Sequence, residues 1–157
     1  MRQVSLCLPI EGNRILLGMK KVGFGKDKLN GFGGKQKEGE TIEQTAVREL
    51  EEESGLQARI EDLRKMAEIS FFFPEVVDGS WNQTVHVFLL DKWQGTPRES
   101  EEMGVEWHYL HNLPFDRMWS SDRYWYPHII HGRKIRGTMY FSGKGESIKT
   151  YDFIPLS

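Results

Sequence analysis

One short segment of the chain carries an unusual density of acidic residues. Between Glu38 and Glu53, seven of the sixteen residues are acidic and one is basic. Thr41 and Gln44 have the spacing of a capping box, and Gly55 stands where a helix end is expected, so this segment predicts a helix. Like charges one turn apart destabilise a helix. Cation binding is the simplest functional explanation of this density, and a solvated acidic surface is the alternative.

Three glutamates of the predicted helix share one face. Glu49, Glu52 and Glu53 stand at positions i, i+3 and i+4, which a helical period of 3.6 residues brings to the same side. Mg2+ prefers oxygen ligands and is usually bound by one or two carboxylates together with substrate phosphates. The pattern therefore predicts a divalent metal site on this face.

The acidic helix is part of a longer spaced pattern. Gly34 is followed by five residues and Glu40, and then by seven residues and the run Arg48-Glu49-Leu50-x-Glu52-Glu53-x-Gly55-Leu56. This pattern is the Nudix box, and the chain resembles the Nudix hydrolases. The resemblance implies an α/β/α sandwich with a mixed sheet and two principal helices. We expect one such domain over residues 1–157.

Length, charge and cysteine content narrow the class of protein. At 157 residues the chain can bury the core of one domain, and its net charge of −2 argues against coating nucleic acid or an acidic membrane. Cys7 is the only cysteine and is predicted to fill a strand in the core. There is no signal-peptide pattern and no apolar stretch of membrane-spanning length. We expect a cytoplasmic monomer that binds neither nucleic acid nor membrane.

Strands predominate in the rest of the chain. Apolar runs predict strands at 3–10, 14–18, 66–73, 83–90, 104–110, 134–141 and 149–154. A second helix is predicted over 126–133, with Pro127 near its start. The glycine-rich region 23–34 is predicted to be a loop that leads into the acidic helix.

The family resemblance assigns roles on the acidic helix. It implies that Glu49, Glu52 and Glu53 bind Mg2+, with Mn2+ as an alternative, and that one of them takes a proton from the attacking water. Arg48 is adjacent and is expected to fix the rotamer of Glu52 or Glu53 through a bidentate pair.

Residues outside the helix complete this predicted site. The resemblance implies that the carbonyl of Gly33 contacts the metal. Glu102 is a further candidate for a metal or water contact, with a solvated acid as the alternative, whereas Glu40 is expected to play a structural part. Three flanking lysines are placed to steer a triphosphate, with a solvated surface lysine as the alternative for each: Lys20, Lys21 and Lys35. Lys20 is the one assigned to the substrate.

Segments outside the Nudix box narrow the resemblance. The stretches LLGMKKVGFG (16–25), NGFGGK (30–35) and PFDRMWSSDRYWYP (114–127) are similar to those of the oxidised purine nucleoside triphosphate hydrolases. The resemblance implies hydrolysis of 8-oxo-dGTP, and of 2-oxo-dATP, to a monophosphate and pyrophosphate, which sanitises the nucleotide pool. The alternatives are a Nudix hydrolase of another nucleoside triphosphate, such as O6-methyl-dGTP, and a non-catalytic nucleotide-binding module.

The same resemblance implies a pocket for the base. Asn30 is the expected base-reading amide, Asp122 is expected to accept a hydrogen bond from the purine edge, and Trp119 is expected to stack on the ring. From the residues alone, Asn30 is equally suited to a turn, Asp122 to a helix cap and Trp119 to the core. Three aromatic residues are expected to wall the pocket: Phe24, Phe71 and Phe73.

Two positions depart from the family pattern. Ser121 precedes Asp122 where the family carries a second aspartate, and Leu29 stands where it carries a tryptophan. An aspartate pair can share a proton and so present either a donor or an acceptor to a purine edge. Ser121 keeps a hydroxyl group but loses that titrating partner, so we expect a changed base preference. Asp116 is the one other acid considered for the missing role.

Overall fold

The computed structural model describes all 157 residues, Met1–Ser157. It contains eight strands and two α-helices, which follow one another as β1 (Arg2–Glu11), β2 (Arg14–Lys20), β3 (Leu29–Asn30), α1 (Ile42–Ser54), β4 (Arg64–Phe72), β5 (Gln83–Leu90), β6 (Met103–Tyr109), α2 (Asp122–Ile130), β7 (Ile135–Ser142) and β8 (Ser147–Pro155). Single 3-10 turns lie at Ile60–Asp62 and Phe115–Arg117. The predicted strands are confirmed, with ends that differ by one or two residues.

The strands form one mixed sheet. Its order is β3-β2-β1-β5-β4-β7-β8, and β6 pairs with β2 along the whole length of that strand. β1 runs parallel to β5 and β4 runs parallel to β7, whereas the other pairs are antiparallel. No helix of the fold is both long enough and apolar enough to cross a membrane.

The two helices cover opposite faces of the sheet. Side chains alternate along β1, so that Leu6 and Leu8 join the core that contains Trp125 of α2, while Cys7 joins the core that contains Leu50 of α1. Residues 85–90 of the central strand β5 are all buried, as expected of a strand covered on both faces. The predicted α/β/α sandwich is therefore confirmed.

The acidic helix is built as its sequence predicts. Thr41 Oγ1 accepts from the Gln44 amide at 3.1 Å, and Gln44 Oε1 accepts from the Thr41 amide at 2.8 Å, which completes the capping box. Gly55 ends α1 with a φ of 80°, a left-handed conformation that glycine adopts at little cost. Ala46 and Leu50 are fully buried and seat the helix on the sheet.

The second helix differs from its prediction. It spans Asp122–Ile130 rather than 126–133, and Pro127 lies inside it rather than near its start. The start is set by tertiary packing, because Asp122, Trp125 and Tyr126 are all buried against the sheet. The region 23–34, predicted as a loop, also contains the short strand β3, which pairs with β2 through Gly18 and Asn30.

Candidate active site

A cleft of about 680 Å³ opens on the face of the sheet that α2 covers. Its size lies within the range of small-molecule sites. Nine predicted site residues line it: Lys20, Phe24, Asn30, Gly33, Glu53, Phe71, Phe73, Trp119 and Asp122. The remaining four lie outside the lining: Arg48, Glu49, Glu52 and Glu102. The fold thus joins one end of the acidic helix to the aromatic residues predicted to hold a base.

Glu53 is the glutamate of α1 that lines the cleft. Its Oε1 accepts from the Gly33 amide at 2.9 Å. Burial and, to a smaller extent, the neighbouring charge of Glu49 together raise the pKa of Glu53 to about 8. Only glycine fits at position 33, because a Cβ there would overlap the backbone carbonyl of Ser5. Close backbone packing therefore fixes the loop that holds Glu53.

Arg48 organises the other carboxylates of the helix. It binds Glu40 through two bonds, Nε to Oε2 at 2.6 Å and Nη2 to Oε1 at 3.0 Å, and Nη1 binds Glu49 at 2.8 Å. A weaker contact of 3.3 Å reaches Glu52, and none reaches Glu53. Arg48 was predicted to pair with Glu52 or Glu53, but its main partner is Glu40, and its contact with Glu52 is secondary. These bonds also lower the pKa of Glu40 to about 2, in keeping with the structural part expected of it.

The acidic face has the chemistry of a divalent cation site. Glu49 packs behind Gly34 with 17% of its side chain exposed, whereas Glu52 points outward with 54% exposed. These side chains and Glu102 do not converge into a cluster of metal-binding geometry. The donors are nonetheless all oxygens, and burial raises the pKa of both Glu49 and Glu53. A hard divalent cation would relieve this crowding of negative charge, so the residues fit one.

The aromatic strand divides its phenylalanines as predicted. Phe71 and Phe73 face the cleft, while Phe72 lies on the opposite face and stacks on Tyr140 with ring centroids 4.9 Å apart. Trp81, which the sequence analysis did not single out, also lines the cleft and meets Phe73 edge-on at 5.4 Å.

The loop before β3 lies against Trp119. Phe24 is tilted against the indole with centroids 5.3 Å apart, although 64% of Phe24 is exposed. A Cβ at Gly25 would lie 3.0 Å from the same ring. The ammonium of Lys28 lies over the indole, 5.5 Å from its centroid. This loop therefore covers part of the ring that was predicted to stack on a purine.

Asn30 is held in a fixed orientation. Its Oδ1 accepts from the Tyr126 hydroxyl at 3.0 Å and from the Gly31 amide at 2.9 Å. Both bonds fall on the oxygen, so the Nδ2 donors of the amide are left for the cleft. Leu29, the first departure from the family pattern, is fully buried in the core and does not line the cleft.

Asp122 combines a structural bond with a place in the cleft. Its Oδ2 accepts from the Trp119 amide at 3.0 Å, and its side chain is almost entirely buried. Burial raises the pKa of Asp122 to about 7. Ser121 is buried beside it and also lines the cleft, whereas Asp116 is exposed on a 3-10 turn outside the lining. Asp116 therefore does not replace the missing aspartate.

Stability is expected to depend on pH through Asp122. A carboxyl whose pKa rises from 3.8 to about 7 on folding favours the folded state below pH 4 and loses that contribution as pH rises through 7. Asp122→Asn, which keeps an acceptor for Trp119, should match wild type in free energy of unfolding at pH 4 and exceed it at pH 8, by at most about 4 kcal/mol. Urea denaturation at both pH values measures this, and an equal difference at the two would contradict the assignment.

The cleft is positively charged in a chain of net charge −2. Two predicted lysines, Lys20 and Lys35, line it, but Lys21 does not, because its ammonium binds the Glu99 carboxylate at 3.0 Å. Two cations that the sequence analysis did not assign, Arg2 and Lys28, also line it. Lys28 could have been identified from the sequence, because it stands two residues before Asn30 and side chains two residues apart in a strand point to the same side. Four cations thus face two acids, Glu53 and Asp122, which suits an anionic ligand.

Comparison with known proteins places the chain in a family. Residues 1–129 match the NUDIX domain. The chain is 45% identical over 153 residues to the oxidized purine nucleoside triphosphate hydrolase of Mus musculus, covering 96% of this chain and 92% of that protein. It is 43% identical over 143 residues to the protein of the same name from Danio rerio, covering 89% and 86%. The MutT protein of Bacillus halodurans shares the fold with a TM-score of 0.83 over the full length of both chains at 21% identity. The chain therefore belongs to the Nudix family of hydrolases.

Proposed function

We propose that this protein hydrolyses oxidised purine nucleoside triphosphates, 8-oxo-dGTP and also 2-oxo-dATP, to a nucleoside monophosphate and pyrophosphate. Such an activity removes damaged precursors from the nucleotide pool. The observation that carries the proposal is the continuity of the cleft, which runs from Glu53 on the acidic helix to Trp119 and Asp122 at its aromatic end. The names of the mouse and zebrafish relatives support the same substrate class.

The acidic end holds the reacting phosphates in this proposal. Nudix hydrolases generally use divalent metal ions, and here Mg2+, or Mn2+ in its place, would neutralise charge on the phosphate oxygens. Its ligands would come from Glu49, Glu52 and Glu53, with the Gly33 carbonyl and Glu102 as further contacts. Glu53 is the one of these glutamates that lines the cleft, so we assign to it the removal of the proton from the attacking water. Arg48 positions Glu49 and Glu52.

The aromatic end holds the base. Trp119 offers a face for stacking, Asn30 offers its amide donors, and Asp122 offers a buried carboxyl group. The walls are built from aromatic residues: Phe24, Phe71 and Phe73. Lys20, close to Glu53, would steer the triphosphate. The negative net charge favours a free nucleotide over nucleic acid as substrate, and we further propose a monomer acting in the cytoplasm.

Formation of the nucleoside monophosphate in the presence of Mg2+, followed by chromatography, tests the proposal. Every substrate of the panel yields this product, which leaves with pyrophosphate from the triphosphates and with ribose 5-phosphate from ADP-ribose. The panel is 8-oxo-dGTP, 2-oxo-dATP, O6-methyl-dGTP, dGTP and ADP-ribose, with kcat/KM as the measured quantity. We expect 8-oxo-dGTP to exceed dGTP by at least about tenfold, the worth of one good base-discriminating contact. Hydrolysis of none of the five would favour a non-catalytic nucleotide-binding module.

A second candidate substrate follows from Ser121. This position holds a small, buried hydroxyl side chain beside Asp122, where the family pattern has a second acid. A smaller, uncharged neighbour leaves more room for a substituent on the purine edge. Preference for O6-methyl-dGTP over 8-oxo-dGTP in the same panel would establish this candidate in place of the first.

Trp119→Ala should weaken substrate binding without loss of the fold. One base–aromatic stack is worth about 1–3 kcal/mol, so we expect the Michaelis constant to rise roughly 5-fold to 150-fold. Trp93, half-buried outside the cleft, provides the matched control, and Trp93→Ala should leave the Michaelis constant unchanged. An unchanged constant in Trp119→Ala would make Trp119 a packing residue only.

A further inference from the structure

Lys28 lies on the same side of the chain as Asn30. Leu29 between them is fully buried in the core, and side chains alternate along an extended strand, so Lys28 and Asn30 both face the cleft. The Lys28 carbonyl accepts from the Lys20 amide at 3.2 Å, which extends the pairing of β2 back to this residue. At the rise of a strand, the two Cα atoms are separated by roughly 6.5 Å, about the width of a purine edge.

The ammonium of Lys28 has no protein acceptor. It forms neither a hydrogen bond nor an ion pair with any side chain or carbonyl, whereas Lys21 and Lys65 are both paired with glutamates. Its nearest defined partner is the face of Trp119, 5.5 Å from the ring centroid. Its positive charge also acts on Asp122 and opposes the rise in the pKa of that carboxyl. Lys28 therefore lies near two of the residues proposed to hold the base, Trp119 and Asp122.

This end of the cleft presents mainly hydrogen-bond donors. Asn30 turns its amide donors to the cleft because its oxygen is occupied by two other bonds. Trp125 Nε1 is buried and directed toward the Asp122 carboxyl group, so the donors open to a ligand are those of Asn30 and Lys28, which carries only donors. A purine carbonyl oxygen can accept hydrogen bonds from these donors. An exocyclic amino group at the same position of the purine cannot, because its N–H groups would face other N–H groups.

We propose that Lys28 is a specificity-determining residue, whose ammonium donates a hydrogen bond to a carbonyl oxygen on the edge of the purine stacked on Trp119. The inference rests on the function proposed above and refines its substrate class. Lys28 selects purines that carry oxo groups on this edge over purines that carry an amino group there. In a chain where Ser121 replaces one acid of the family pattern, the donor character of the pocket favours oxo-purines.

Lys28→Met tests this inference, because methionine keeps most of the unbranched stem and loses the charge. We expect kcat/KM to fall about tenfold for 8-oxo-dGTP and dGTP, the worth of a hydrogen bond to a charged group. For dATP, the change should stay within twofold. Lys28→Arg should retain the preference for oxo-purines. Lys26→Met, on an exposed side chain of the same loop outside the cleft, should match wild type throughout.

Binding of the monophosphates 8-oxo-dGMP, dGMP and dAMP, measured by calorimetry, provides a second readout without the β- and γ-phosphates. In Lys28→Met, we expect the dissociation constants of 8-oxo-dGMP and dGMP to rise and that of dAMP to stay nearly unchanged. An equal loss for all three triphosphates with unchanged monophosphate binding would make Lys28 a phosphate contact. An equal loss for all monophosphates would make it a support for Trp119, and no change would make it a surface lysine. Each of these outcomes overturns the inference.

The two proposals fail in different ways. If wild type hydrolyses no purine triphosphate, the proposed function is wrong, and the monophosphate affinities still decide whether Lys28 selects oxo-purines. If wild type prefers 8-oxo-dGTP and Lys28→Met leaves that preference unchanged, the function stands and the role of Lys28 is wrong.

Discussion

Glu53→Gln is expected to lower kcat by roughly 10²–10⁴-fold, the range for loss of a general base, while leaving the fold intact. Glutamine is nearly isosteric with glutamate and keeps an oxygen that can accept from the Gly33 amide. Burial raises the pKa of Glu53 to about 8, so the folded protein already accommodates a neutral side chain there. The variant should therefore melt no lower than wild type in the absence of metal.

Thermal melting with and without Mg2+ adds a second measurement for this variant. A ligand that binds only the folded state raises the melting temperature, so Mg2+ should stabilise wild type more than Glu53→Gln. Glu51→Gln is the matched control, since Glu51 is exposed on the same helix and lies outside the cleft. A Glu53→Gln rate within a few-fold of wild type would show that the acidic face has been assigned the wrong role.

Gly33→Ala is expected to reduce the free energy of unfolding by roughly 3 kcal/mol, at the upper end of the usual cost of overpacking. The added Cβ would overlap the backbone carbonyl of Ser5, and a backbone atom cannot move aside as a flexible side chain can. The shift of the loop would also displace the amide that Glu53 accepts from, so activity should fall with stability.

Gly104→Ala is the matched control for this substitution. Gly104 is buried in β6, and a Cβ there would meet its nearest neighbour, Met19 Cε, at an ordinary contact distance of 3.6 Å. Its free energy of unfolding in urea should stay within about 0.5 kcal/mol of wild type. Equal losses in the two variants would mean that the contact with Ser5 does not set the cost.

Features that depend on local sequence could be predicted. The capping box of Thr41 and Gln44, the helix end at Gly55 and the division of Phe71 and Phe72 between two faces each follow from residues a few positions apart. The acidic end of the candidate site was predicted for a related reason, since the Nudix pattern has fixed spacing within one helix and its adjoining loop. The residues of the aromatic end were instead assigned through the family resemblance of other segments.

Features that depend on distant partners could not be predicted in the same way. The main partner of Arg48 is Glu40, which lies eight residues earlier and outside the helix, so helical spacing did not indicate it. The start of α2 depends on burial against the sheet, and Trp81 enters the cleft from a turn remote in sequence. Asp116 was considered from its position in the sequence alone, and its exposure could be seen only in the fold.

The bonds to the oxygen of Asn30 fix this side chain in the folded protein before any ligand binds. Ordering a free side chain at an interface costs about 0.5–1.5 kcal/mol, and here folding has already met that cost through Tyr126 and the Gly31 amide. The amide cannot turn over to offer its oxygen without breaking both bonds. If the proposed nucleotide binds here, its base would meet amide donors that are already fixed in place, and selectivity at Asn30 would come from preorganisation rather than from adjustment around each base.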